Sequence, residues 1–287
     1  MLNVVIALLV GSAVGWAVWA GVPRLVGLRR RWSTGMLAVL AGSGAALFAA
    51  LVTLRGPEWW HAGVLLAVLL GITASDFAVK LIPDSLSLGG AVIGVLVSTL
   101  LPTGIVELLA QGRTAAFVGL PSAPHLQGLV LAVSGAVLGF VVLEAARIGF
   151  SAVLGVAAMG MGDSKLMLAI GAFIGPLGVL FAFVVACPVG IVIALVLRLR
   201  TGLPHAPFGP GLAAGGVAVL LASNLLIDGF AAFQRLLVTL PLYVVFVVQG
   251  ILVAIAIVLL VRLRRRASEV EQLIEDDYAR IDQELEP

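Results

Sequence analysis

Between Lys165 and Arg198 the chain carries no charged residue. A run that long and that apolar cannot stay in water, and in a bilayer its backbone must satisfy itself as helix. It is also too long for one crossing, which takes about 20 apolar residues with a lower limit near 17. Gly175-Pro176 and Pro188 to Gly190 interrupt it. The expectation is therefore two helices, the first short and turning near Gly175 to Gly178.

The rest of the chain repeats this pattern. Apolar residues make up 61% and charged residues 11%, and the mean hydropathy is +1.19. A soluble domain runs closer to about half apolar and about a quarter charged. The expected fold class is an all-α polytopic membrane protein with about nine transmembrane helices. They are Leu2 to Gly21, Met36 to Leu54, Ala62 to Val79, Leu86 to Leu101, Gln127 to Arg147, two within Leu166 to Leu197, Gly211 to Ile227, and Leu237 to Val261. No basic stretch precedes the first, so it reads as a retained anchor. Trp59-Trp60 suits an interfacial aromatic anchor. Pro102 to Leu126 reads as loop, with a surface helix over Val106 to Gln111.

Charge sets the orientation. With the N-terminus outside, Arg24, Arg29 to Arg31, Lys80, Arg147, Lys165, Arg198, Arg200 and Arg262 to Arg266 share one side. Arg55, Arg113 and Arg235 fall on the other. That is the positive-inside asymmetry, with a cytoplasmic C-terminus. The division expected is a membrane-embedded part, 1–266, and an acidic amphipathic cytoplasmic tail, 267–287. Val270, Leu273, Ile274, Tyr278, Ile281 and Leu285 fall close to a helical stripe there. Two readings stay open: a solvated helix, or a docking helix over 268–287 for a partner or for self-association.

Cofactor chemistry finds little footing. Cys187 is the one cysteine, which excludes an intramolecular disulfide and a Cys-based zinc site. His61, His125 and His205 show no metal-ligand spacing. No metal or cofactor is expected, and nucleic acid is not among the expected partners.

Carboxylates remain. Asp76 lies in the last turn of the third span, with Asp84 shortly after it; Asp163 sits in Gly160-Met161-Gly162-Asp163-Ser164-Lys165. An acid at a membrane edge is a functional candidate, although a single one near a helix end can also reach headgroups or water. Glu144 reads as a helical-spacing partner of Arg147. The orientation puts Asp76 and Asp163 on one face. Two carboxyls a few ångström apart do not both ionise, so such a pair shares a proton. One can then activate water while the other polarises a carbonyl. Gly160 and Gly162 allow another backbone to approach, although glycine is also common in membrane helices.

Gly160 to Leu166 resembles the GxGDxKL stretch of type IV prepilin peptidases, membrane aspartic proteases of the GxGD type. Asp76 followed by Ile82-Pro83-Asp84-Ser85-Leu86 resembles their first catalytic region. Ala206-Pro207-Phe208-Gly209-Pro210-Gly211-Leu212 looks like their PFGPxL element. Leu9-Val10-Gly11-Ser12 with Pro23-Arg24 is a looser echo of their first helix. These matches keep the family's order and extend to about residue 226. The resemblance implies that Asp76 and Asp163 are the two catalytic aspartates, with Gly160, Gly162, Lys165, Pro83 and Asp84 as supporting motif residues. Asp84 would be structural. It further implies cleavage of a short basic leader from type IV prepilins or pseudopilins at the cytoplasmic face of a prokaryotic plasma membrane. The loop Pro23 to Gly35 has no cysteine, Met36 stands where an acidic residue is expected, and Gly89 where a proline is common. A short form is expected, without the Cys-rich domain or its methyltransferase activity.

Three other readings compete. A transporter or channel component would need carboxylates deep in several spans or repeated broken helices. A presenilin-type GxGD protease would need a tyrosine beside the first aspartate, where Ser75 stands, and a PAL element. A catalytically degenerate pilus-assembly factor would not need both aspartates.

Overall fold

The computed structural model describes residues 2–26, 32–56, 59, 62–102, 105, 123–154, 160–201, 208–239, 258 and 262. All regular structure among them is helical: α1 (Leu2–Leu25), α2 (Thr34–Arg55), α3 (Gly63–Val79), α4 (Asp84–Leu100), α5 (Pro124–Leu154), α6 (Met161–Thr201) and α7 (Gly209–Thr239). Five of these, α1, α2, α5, α6 and α7, are long and apolar enough to cross a membrane. α3 and α4 have 17 residues each, the lower end of what a bilayer needs. The chain is thus a polytopic helical membrane protein. The expected surface helix at Val106 to Gln111, nearly all of the expected ninth span and the 267–287 tail lie outside the described residues.

The chain forms two compact units. One comprises Met1–Glu144 with Met161–Asp228, the other Ala145–Gly160 with Gly229–Pro287. In the second, the described residues are the last turns of α5 and α7, Gly160, Val258 and Arg262. Asp76, Asp84 and Asp163 all belong to the first.

Glycine lets these helices touch. Between α1 and α2, a side chain at Gly11 would strike the backbone of Gly44, and one at Gly15 the backbone of Leu40. Without water to drive helices together, such backbone contact is the main source of cohesion in a bilayer. The two contacts also make the hairpin antiparallel. Ser33 caps α2 by accepting from the Met36 N–H at 3.3 Å, and Trp19 Nε1 donates to the Ser33 carbonyl at 3.1 Å.

The long apolar run resolves as expected. α6 is two helices joined at Gly175, whose φ of 70° and ψ of 179° are non-helical. Contacts show a reversal there. Before the break, Lys165 pairs with Asp84, Ala169 meets Gly90 and Phe173 meets Gly94, so this arm runs parallel to α4. After it, Ala182 lies against Gly215 and Gly190 against Gly211. Because Ile170 also lies against Gly216, the second arm returns to the end from which the first set out. The first arm is central. Leu166, Met167, Ala169, Ile170, Ala172 and Ile174 are all buried, as expected for a helix apolar on every side.

Three details depart from the sequence expectation. α5 continues to Leu154 rather than ending at Arg147, since 148–154 holds no proline or charge and a helix tolerates Gly149 and Ser151. α7 runs on past Ile227 to Thr239, bent at Ala222 (φ −128°, ψ 29°). Trp59 is no lipid-facing anchor: it is buried, with the Arg55 guanidinium 3.9 Å above its ring and Arg55 Nη1 donating to Asn224 Oδ1 at 3.5 Å.

Candidate active site

Helix directions bring the acidic motifs to one end of the first unit. α4 is antiparallel to α3, since Gly90 meets Val68 and Gly71 meets Leu86. α7 is antiparallel to α3 as well, with Gly209 against Asp76 and Gly216 against Leu69. The last turn of α3 therefore shares a level with the first turns of α4, α6 and α7. Asp76 occupies the first of these places, and Asp84, Asp163 and Gly209 the others.

Asp76 is buried, at 6% exposure. α3 ends just beyond it because Lys80 adopts a left-handed conformation (φ 53°, ψ 37°), its N–H closing on the Asp76 carbonyl at 2.9 Å. Ser75 Oγ then donates to the Leu81 carbonyl at 2.6 Å, which folds 80–83 back over the helix end. Pro83 takes an extended conformation and precedes the first residue of α4, Asp84. Its carbonyl accepts from the Leu86 and Ser87 amides at 3.0 and 3.1 Å. Proline suits this position, where a helix start needs no amide hydrogen.

Asp163 lies in the first turn of α6 and is 8% exposed. A helix N-terminus favours negative charge there. The next residue, Ser164, is fully buried and donates from Oγ to Glu144 Oε2 at 3.0 Å. Lys165 Nζ reaches Asp84 Oδ1 at 2.7 Å, an ion pair whose carboxylate side is 61% exposed. Asp84 is thus a surface partner of Lys165 rather than a buried acid like the other two.

Ile82 links the two aspartate-bearing turns. Its side chain packs against Gly162, where a Cβ would meet it at 3.2 Å, and against Gly209, where a Cβ would meet it at 3.5 Å. Gly162 adjoins Asp163. Gly209 lies so close to Asp76 that any side chain there would overlap Oδ2. The Gly209 amide also directs its positive end at this carboxyl, yet no donor is aligned on Oδ2 well enough to make a hydrogen bond among the described residues. A buried carboxyl oxygen without a partner is expensive, and it is a natural place for a reacting water or substrate group.

Gly162, Pro83, Asp84 and Lys165 all gather at this end. Gly160 belongs to the other compact unit, and it is exposed. Gly209, Ile82 and the Ser164–Glu144 bond are gains from the structure. Phe208-Gly209-Pro210 is visible as a motif in sequence, but its role as the wall of Asp76 is not. Among the described residues no group of three or more metal-ligating side chains occurs.

Two buried carboxyls thus lie at one end of a glycine-packed helical bundle in a membrane protein. The comparisons with known proteins narrow the class. Residues 63–195 match the type IV leader peptidase family. A "Prepilin leader peptidase/N-methyltransferase" of Burkholderia pseudomallei is 33% identical over 192 residues, which cover 66% of this chain and 50% of that protein. One from Pectobacterium carotovorum is 36% identical over 177 residues, 60% of this chain and 55% of the relative. A "Type 4 prepilin-like proteins leader peptide-processing enzyme" of Escherichia coli is 35% identical over 89 residues, 31% of this chain and 32% of the relative. The chain spans about half the length of the first two of these curated relatives. No solved structure matches it. The matched segment, 63–195, holds Asp76, Asp84 and Asp163, and in it the chain is similar to the type IV leader peptidase family.

Proposed function

We propose that this protein is a membrane aspartic endopeptidase that removes the leader peptide from type IV prepilins or pseudopilins. The observation carrying the reading is the pair of buried carboxyls, Asp76 and Asp163, on turns that Ile82 packs together. Asp76 and Asp163 are the catalytic residues. One takes a proton from water as its oxygen attacks the scissile carbonyl carbon, while the other, protonated, donates to the carbonyl oxygen; the first then passes the water-derived proton to the leaving amine as the C–N bond breaks, and the second regains its proton from a hydroxyl of the tetrahedral intermediate. Burial strengthens both interactions. Gly162 and Gly209 let the turns close around the pair. Pro83, Asp84 and Lys165 brace the loop between α3 and α4, and Gly160 leads into the Asp163 turn. No metal or cofactor is required by this chemistry.

The site faces the cytoplasm of a prokaryotic plasma membrane, a reading supported by Lys80 and Lys165 at this end and by the loop arginines. Counting the apolar segment Leu237 to Val261, the chain crosses about nine times, N-terminus outside. Residues 1–266 form the peptidase part, and 267–287 an acidic cytoplasmic tail, either a solvated helix or a docking helix for a partner or a second copy. The methyltransferase half of the relatives' names is not carried over, because the loop Pro23 to Gly35 has no cysteine.

The test is prepilin processing in cells that lack their own peptidase, with Asp76→Asn and Asp163→Asn made separately. Each should abolish the mobility shift of the cleaved product at normal protein levels. Survival of processing in either variant would rule out the two-aspartate mechanism.

A further inference from the structure

The hydrogen bond between Ser164 and Glu144 lies beside the carboxylate pair, and the peptidase reading does not use it. Glu144 sits on α5, an apolar helix in which a carboxylate is costly to keep. Its Oε2 accepts the Ser164 hydroxyl at 3.0 Å, and Ser164 is inaccessible to solvent.

Asp163 stands on a first helical turn, between Gly162 and Ser164. The first four amides of a helix have no partner inside it, and a glycine in the turn widens the conformations open to the backbone. The place of the Asp163 carboxyl therefore depends in part on the anchors of this turn. Ile82 packs on Gly162, an apolar contact without direction. Lys165 pairs with Asp84, but both side chains are long or exposed and such pairs tolerate drift. Ser164 differs: its side chain has one torsion, its hydroxyl is buried, and its Cα is about 3.8 Å from that of Asp163.

We infer that Glu144 is a positioning residue: by accepting from Ser164 it holds the first turn of α6 and sets where the Asp163 carboxyl stands relative to Asp76. Its effect is exerted through Ser164. The inference rests on the peptidase reading and goes beyond it, because neither residue belongs to the aspartate pair.

The experiment uses the purified full chain in proteoliposomes with a prepilin substrate. It measures kcat, KM and melting temperature for Glu144→Ala, Ser164→Ala, the double variant and Glu144→Gln. Displacing a reacting group by about 1 Å costs up to about 100-fold. Glu144→Ala and Ser164→Ala should each lower kcat about 10- to 100-fold with KM unchanged. The double variant should be no worse than the worse single, because both changes break one contact. Glu144→Gln should stay within about three-fold of wild type, since its amide oxygen still accepts the hydroxyl. Wild-type kcat in Glu144→Ala overturns the inference. So does a Glu144→Gln as impaired as Glu144→Ala, which would make charge the requirement, and so does a loss that vanishes when rates are normalised to folded enzyme. A wild-type protein that cleaves no prepilin overturns the peptidase reading and this inference together, whereas an active wild type with an unaffected Glu144→Ala overturns the inference alone.

Discussion

Replacing Gly209 with alanine tests the site by a single methyl group. The backbone of Gly209 is not in the left-handed region, so alanine suffers no conformational strain at this helix start. What it meets is Asp76. The new Cβ would overlap Oδ2 and sit 3.2 Å from the carboxyl carbon, with Ile82 Cδ1 at 3.5 Å on another side. Cβ atoms essentially never come within 3.0 Å of another heavy atom, so the carboxyl or the start of α7 must retreat by roughly 1 Å. Overpacking of this kind costs about 1–3 kcal/mol of stability. Misplacing a reacting group by about 1 Å costs up to about 100-fold in rate. The assay is prepilin cleavage by purified protein in lipid, with the melting temperature recorded in parallel. Gly42→Ala is the control, because a methyl there meets nothing within 4 Å; it should leave kcat unchanged. A Gly209→Ala protein with wild-type kcat would refute the claim that Asp76 works from the position that Gly209 walls in.

Two other substitutions have outcomes set by the geometry. Gly175→Ala should lower thermal stability by about 1–3 kcal/mol, because φ 70° with ψ 179° is a region open essentially only to glycine, and circular-dichroism melting in detergent would register the loss. Lys165→Ala should cost less than about 1 kcal/mol in a denaturation assay, because its partner Asp84 is largely exposed and such pairs are screened by water and salt.

Much of the fold is legible without coordinates. Apolar runs and their interruptions locate the helices, since a bilayer leaves the backbone no other way to satisfy its polar groups. Even the reversal at Gly175 can be anticipated from the length of the uncharged stretch. Helix ends are less legible. α5 and α7 continue past Arg147 and Ile227, because a charged residue in one turn of an otherwise helical segment does not break it. Trp59 misleads in a similar way: an aromatic near a helix end suggests the lipid interface, but the structure stacks it under Arg55 and buries it.

The candidate site divides along the same line. Asp76, Pro83, Asp84, Gly162, Asp163 and Lys165 stand out in sequence because acids are rare in apolar surroundings and glycine and proline mark the turns that carry them. Their common end of the bundle can be argued from loop charges alone. Sequence cannot tell which neighbours close on them. That Gly209 presses on Asp76, that Ile82 lies against both aspartate-bearing turns, and that Glu144 takes the hydroxyl of Ser164 rather than serving only a helical partner are facts of packing between segments far apart in the chain. Periodicity and hydropathy act within one helix. Contact between helices depends on how their surfaces interlock, and only the folded bundle sets that.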